Sequence, residues 1–104
     1  MNQVNLIGNL TKDPDIRYTT SLEPMCIAKF TLAINDGYGE NKRTDYIPCT
    51  AFGKIGENVE RFLHKGSKVA VNGKIQTGSY EKDGRKVYTT DVIVQMMEFL
   101  GGME

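Results

Sequence analysis

The chain has 104 residues, 13 basic against 13 acidic side chains and 39% hydrophobic residues, so it holds one domain with one core and no net charge. No apolar run approaches the roughly 18–20 residues of a membrane span, and Met1-Asn2-Gln3-Val4-Asn5 has no basic region leading into an apolar stretch, so neither a membrane helix nor a signal peptide is expected. Nucleic-acid binders are usually basic, so such a role here requires the charges to be segregated on the fold.

In chain order, Val4, Leu6, Gly8 and Leu10 alternate with Asn5 and Asn9 and predict a first strand, although Ile7 breaks the alternation. Asp13-Pro14-Asp15 turns the chain. Met25 to Asn35 reads as a second strand with Ala28, Phe30, Leu32 and Ile34 on one face, and the polar, glycine-rich stretch Asp36 to Arg43 as a loop. Thr44 to Phe52 is the third strand. Ile55, Val59, Phe62 and Leu63 follow the i, i+4, i+7, i+8 spacing of an amphipathic helix. Phe62 is expected in the core, Arg61, His64 and Lys65 at the helix end, and Gly66 just past it as the C′ residue. Lys68 to Tyr80 is the fourth strand, with Val69, Val71 and Ile75 alternating against Lys68, Asn72 and Lys74. Asp83-Gly84 signals a two-residue hairpin that sets Glu81 opposite Lys86. Lys86 to Phe99 is the fifth strand, and Gly101 to Glu104 reads as a frayed end beyond a domain covering 1–100.

The order β-β-β-α-β-β predicts an all-β fold: a five-stranded Greek-key barrel of the OB type, with one helix between strands 3 and 4. Cys26 and Cys49 are far apart and form no CxxC, so they read as buried thiols in a reducing compartment. One His and two scattered Cys supply too few ligands for a structural zinc. Asn9-Leu10-Thr11 fits a glycosylation sequon but has no secretory route to give it meaning. No Walker motif, HExxH or nucleophile elbow appears, and His64 has no carboxylate or serine partner indicated. Neither enzyme chemistry nor a cofactor is expected.

Strand three carries the most information. Ile47, Cys49 and Ala51 share one parity and suit a barrel interior, whereas Tyr46, Pro48, Thr50 and Phe52 share the other. Tyr80 has the parity of the polar residues Lys74 and Gln76, and Tyr38 lies in the glycine-flanked loop beside Lys42 and Arg43. Outward aromatic rings interleaved with cations are what unpaired nucleic acid requires, because bases stack on rings while cations follow the phosphates. Arg17, Lys42, Arg43, Lys54, Lys74 and Lys86 are the candidate phosphate contacts. Tyr18, Phe30, Phe62, Tyr88 and Phe99 are read as core or interface residues.

The run from Met1 to Leu10, then Asp13-Pro14 and Arg17-Tyr18-Thr19, resembles the N-terminal segment of bacterial-type single-stranded DNA-binding proteins, a family with phage, plasmid and mitochondrial relatives. Phe30-Thr31-Leu32-Ala33, Thr44-Asp45-Tyr46, Phe52-Gly53-Lys54, Lys65-Gly66-Ser67 and Tyr88-Thr89-Thr90 continue the resemblance in order. It implies an OB-fold homotetramer in the cytoplasm, associated with the nucleoid, that coats unpaired DNA in replication, recombination and repair. It implies stacking at Tyr38, Tyr46, Phe52 and Tyr80, the positions that parity and loop placement select. Several members carry Trp at three of these places and are richer in Arg and Lys around Gln76 to Ser79, so weaker stacking and a less charged groove are expected here. Members commonly end in an acidic, partner-recruiting tail, and this sequence ends at Glu104 without one. Two other readings stay open: an OB-fold that binds RNA, and a primosome-type OB module whose aromatics are buried between subunits. Matched DNA and RNA titrations discriminate the first, and tyrosine burial without DNA binding the second.

Overall fold

Alternation of apolar and polar residues along each segment turns one set of side chains inward, and the strands coil around that set. The computed structural model describes residues 1–37 and 39–100. Its strands are β1 (Val4–Leu10), β2 (Asp15–Tyr18), β3 (Cys26–Asp36), β4 (Arg43–Phe52), β5 (Lys68–Lys82) and β6 (Arg85–Leu100), with helix α1 (Gly53–Phe62) between β4 and β5. The sheet order is β1-β5-β6-β4-β3-β2, and a further β1–β3 pairing at Asn9↔Ala33 and Leu10↔Leu32 closes β1, β5, β6, β4 and β3 into a five-stranded barrel. All pairings are antiparallel except β4 with β6, where Cys49 faces Val92 and Thr50 faces Ile93. This is the OB-fold barrel expected from the sequence.

Leu10, Ala28, Phe30, Leu32, Cys49, Ala51, Val69, Val71, Val92 and Val94 fill the barrel, and Val59 and Leu63 close it from below. Both cysteines are free and buried. Closure depends on Gly8, because a Cβ there would lie 2.6 Å from the Ala33 carbonyl oxygen of β3.

The structure corrects several sequence expectations. Asp15 does not end a turn but opens a four-residue strand, β2, paired along the first part of β3 from Asp15↔Lys29 to Tyr18↔Cys26. Its length hides it from periodicity, since one inward residue, Ile16, is too few to show a period. The helix ends at Phe62, with Leu63 already extended, so His64 and Lys65 lie outside it. Gly66 is not its C′ residue: it has φ 92° and its N–H donates to the Leu10 carbonyl, tying the turn to β1. Phe62 is 51% exposed rather than in the core. The buried positions of the helix are Gly56, where a Cβ would lie 2.8 Å from the Ala51 carbonyl oxygen of β4, and Val59, with Leu63 buried just beyond its end. Ile55 is partly buried against the core, whereas the Phe62 ring lies outside it and packs on Phe99 at 5.5 Å.

On β6 the register shifts between Asn72↔Met96 and Gly73↔Val94, which leaves Gln95 as an extra residue. The bulge switches the inward parity from Val92 and Val94 to Met97. Beyond Gly73 the β5–β6 hairpin leaves the barrel as an arm whose β5 side, from Lys74 to Lys82, is exposed throughout. Ile75 therefore keeps the expected parity but is exposed. Its backbone N–H and carbonyl are held by the Asn2 side chain, which acts as a short extension of β1.

Candidate functional site

Register places the outward residues of neighbouring strands side by side. One row crosses the barrel through Asp15, Lys29, Thr50, Ile93 and Lys74, on β2, β3, β4, β6 and β5 in turn. A second row joins Arg17, Ile27 and Phe52. On the same face, Tyr46 lies across from Ala33, and on the arm Gln76 lies across from Asp91 and Tyr80 across from Val87. From Tyr46 to Phe52 the face runs roughly 20 Å along β4.

Tyr46 is 64% exposed, Phe52 40% and Tyr80 52%. None of the three belongs to the core cluster. The strand-three parity expected from sequence therefore holds at both rings, while Ile47 is half-buried and Cys49 and Ala51 are buried. Thr50 is the exception: it has the outward parity but is buried, being, with Cys49, one of the two β4 residues that have ladder partners on both sides. Tyr38 lies outside the described residues.

The candidate cations separate into groups. Arg17 and Lys74 stand on the ring-bearing face, and Lys54 is exposed on the first turn of α1 directly after Phe52-Gly53. Lys42 is exposed just before β4. Arg43 has the inward parity and is tied to Asp45 at 3.0 Å. Lys86 is not with Tyr80: it pairs with Glu81 on the opposite face of the arm, and its Nζ sits 5.7 Å from the Tyr88 ring. The one-residue offset between Lys86 and Val87, Tyr80's partner, decides this.

Sequence reasoning missed Lys29, Lys82 and Arg85. Lys29 is exposed on β3 beside Thr50, and alternation with buried Ala28 and Phe30 was the available signal. Lys82 and Arg85 form the last pair before the turn and share Tyr80's face. That face thus holds Arg17, Lys29, Lys74, Lys82 and Arg85 against Asp15 and Asp91, which is how a neutral chain acquires a cationic surface. Arg17 is partly offset by Asp15 at 3.6 Å, an exposed contact of small energy.

β2, which carries Arg17, is pinned to the helix: the Tyr18 hydroxyl donates to Glu60 Oε1 at 2.5 Å. That hydrogen bond, with a smaller contribution from Cys26, holds the phenol well above the ordinary tyrosine range. Below the face, burial and then the nearby Asp91 carboxylate push the Cys49 thiol up to about 12.

The profile of the single-strand binding protein family matches residues 1–100. A single-stranded DNA-binding protein of Clostridium perfringens is 46% identical over 101 residues, covering 96% of this chain and 66% of the relative. Single-stranded DNA-binding protein 3 of Listeria innocua is 45% identical over 105 residues, 96% of this chain and 64% of the relative. The single-stranded DNA-binding protein of Bacillus cereus is 43% identical over 104 residues, 96% and 60% respectively. The chain spans somewhat under two thirds of these relatives' lengths.

Proposed function

The chain belongs to the single-strand binding protein family, and from that premise we propose that it binds unpaired DNA without sequence preference and without catalysis, in replication, recombination and repair. The observation that carries this is the set of outward rings, Tyr46, Phe52 and Tyr80, on one face with Arg17, Lys29 and Lys74. Large apolar side chains with no core role are explained when bases cover them, and each ring–base stack contributes about 1–3 kcal/mol. Tyr38 completes the proposed stacking set on its loop placement beside Lys42 and Arg43 in the sequence and on the resemblance. Lys42, Arg43 and Lys54 are proposed as peripheral phosphate contacts, and Lys86 as a contact only for a strand that reaches the arm's far face.

We also propose a homotetramer. β1 pairs with β3 only at Asn9 and Leu10, so its edge from Val4 to Gly8 is open for a second copy. Ile7 and Met96 are exposed large hydrophobics, and both line a cavity of about 320 Å³ on the β1–β5–β6 surface. Apolar surface of this kind is readily buried between subunits. A cytoplasmic, nucleoid-associated location follows from the proposed ligand.

Titration with oligo(dT), oligo(rU) and duplex DNA at two salt concentrations tests the reading. Tight binding of oligo(dT), with duplex much weaker, is expected. Preference for oligo(rU), or no binding, overturns it. Light scattering that gives a monomer at micromolar concentration overturns the tetramer.

A further inference from the structure

β1 pairs with β5 from Asn9↔Lys68 to Val4↔Gly73, and β5 then runs on to Lys82 with β6 as its ladder partner among the described residues. At the same point the β5–β6 register shifts between Asn72 and Gly73. Gly73 is therefore where β5 passes from a closed barrel into a two-stranded ribbon. Such ribbons twist more strongly than wider sheets and are marginal when nothing else holds them. Two residues past that point the Asn2 side chain takes up the open edge. Its Nδ2 donates to the Ile75 carbonyl at 2.9 Å, and its Oδ1 accepts the Ile75 N–H at 2.9 Å.

A primary amide offers a donor and an acceptor in one plane, the same pair that a partner strand presents to a residue in an antiparallel ladder. Asn2 thus continues the β1 side of the ladder past Val4 with a side chain instead of backbone. It is itself exposed and belongs to no core cluster, so packing of the barrel does not depend on it. Its effect falls on the direction of the arm. Tyr80 lies five residues beyond Ile75 on β5, a distance of roughly 17 Å along an extended strand. Over that length a swing of about 10° at Ile75 carries the Tyr80 ring by roughly 3 Å, close to the whole separation of about 3.5–4.0 Å between touching carbons.

We propose that Asn2 is a positioning residue: its amide latches the root of the arm to the barrel and so sets the direction from which Tyr80 meets a base. The latch rests on the DNA-binding reading above and adds no contact with DNA to it. An arm already aimed before binding loses less freedom when a base stacks, and affinity rises accordingly.

The test compares the full chain with Asn2→Ala, Tyr80→Ala and Tyr46→Ala, and with the double variants Asn2→Ala/Tyr80→Ala and Asn2→Ala/Tyr46→Ala. Amide hydrogen exchange without DNA reads the latch, and oligo(dT) titration reads its consequence. In wild type the Ile75 amide should be protected, and in Asn2→Ala it should exchange faster while the barrel amides stay unchanged. Asn2→Ala should weaken oligo(dT) binding by about 2–10-fold, the worth of roughly one net hydrogen bond. That loss should largely disappear when Tyr80 is already Ala, and persist in full when Tyr46 is Ala, because Tyr46 stands on β4 away from the arm. Wild-type affinity in Asn2→Ala, or losses that simply add in the Tyr80 cycle, overturn the latch while DNA binding by the wild type stands. Equal coupling to Tyr46 marks a general loosening of the fold and overturns it too. An unprotected Ile75 amide in the wild type overturns it whatever the variants do, even if one fails to fold. Failure of the wild type to bind oligo(dT) while Ile75 is protected overturns the DNA-binding reading, and the positioning role with it.

Discussion

Tyr46→Ala and Phe52→Ala separate binding from folding at the centre of the proposed site. Full burial of a large apolar side chain contributes about 1.5–3 kcal/mol to stability. Tyr46 is 64% exposed and Phe52 40% exposed, so only part of that is at stake in the free protein. For Tyr46 the loss should be about 0.5–1 kcal/mol and for Phe52 about 1–2 kcal/mol, scaled from the same burial figure. In a domain of this size 1 kcal/mol moves the melting temperature by about 4–8 °C. Loss of a stacked base, by contrast, costs about 1–3 kcal/mol of binding, a factor of roughly 5 to 150 in Kd. The chain has no tryptophan, so tyrosine emission reports on the binding. Oligo(dT) titration followed by this emission, with thermal melts of the DNA-free variants, gives both quantities. Tyr46→Ala is the cleaner probe, since its affinity loss should exceed its stability loss. Variants that melt several degrees lower but bind oligo(dT) with unchanged Kd would refute the outward-ring reasoning for β4.

Gly8→Ala should destabilise the barrel by about 1–3 kcal/mol or more, because the new methyl meets the Ala33 carbonyl, which is backbone and cannot rotate away; denaturant melts check it. Phe62→Ala should cost about 1–2 kcal/mol, not the 3–5 kcal/mol of a core phenylalanine, since its ring is half exposed and its aromatic contact is Phe99; the same melts read this difference. The Cys49 thiol, raised from an ordinary 9.0 to about 12, contributes stability that is complete below about pH 9 and lost as pH rises toward the folded value. The loss is about 1.4 kcal/mol per pH unit, because the unfolded thiol ionises first. Cys49→Ala should flatten the alkaline fall in stability relative to wild type between pH 9 and 11, and equal slopes would refute the assignment.

Local alternation made the core of this protein legible in its sequence. Ala28, Phe30 and Leu32, Cys49 and Ala51, and Val69 and Val71 are buried where their parity puts them, and Tyr46, Phe52 and Tyr80 are exposed for the same reason. Parity is a property of the extended chain itself, so it survives without knowledge of neighbours. The Asp83-Gly84 turn was legible too, because its backbone demands residues that tolerate positive φ, and it carries the Glu81↔Lys86 register with it. What neighbours decide was not legible. Thr50 is buried by the strands on either side of it, Gly56 lets α1 sit close on β3 and β4, and Leu63, just past the helix end, is covered where Phe62 is not. The extra residue at Gln95 and the arm's departure from the barrel set which residues of β6 face inward and leave Ile75 in solvent. Segregation of charge on the barrel was likewise a tertiary outcome: a balanced sequence places Arg17, Lys29 and Lys74 on one face only because five strands from distant parts of the chain meet there, whereas Lys82 and Arg85 are brought opposite each other by the local hairpin. Side-chain direction follows from the backbone of one strand, but proximity between strands follows from register and closure, which no single segment contains.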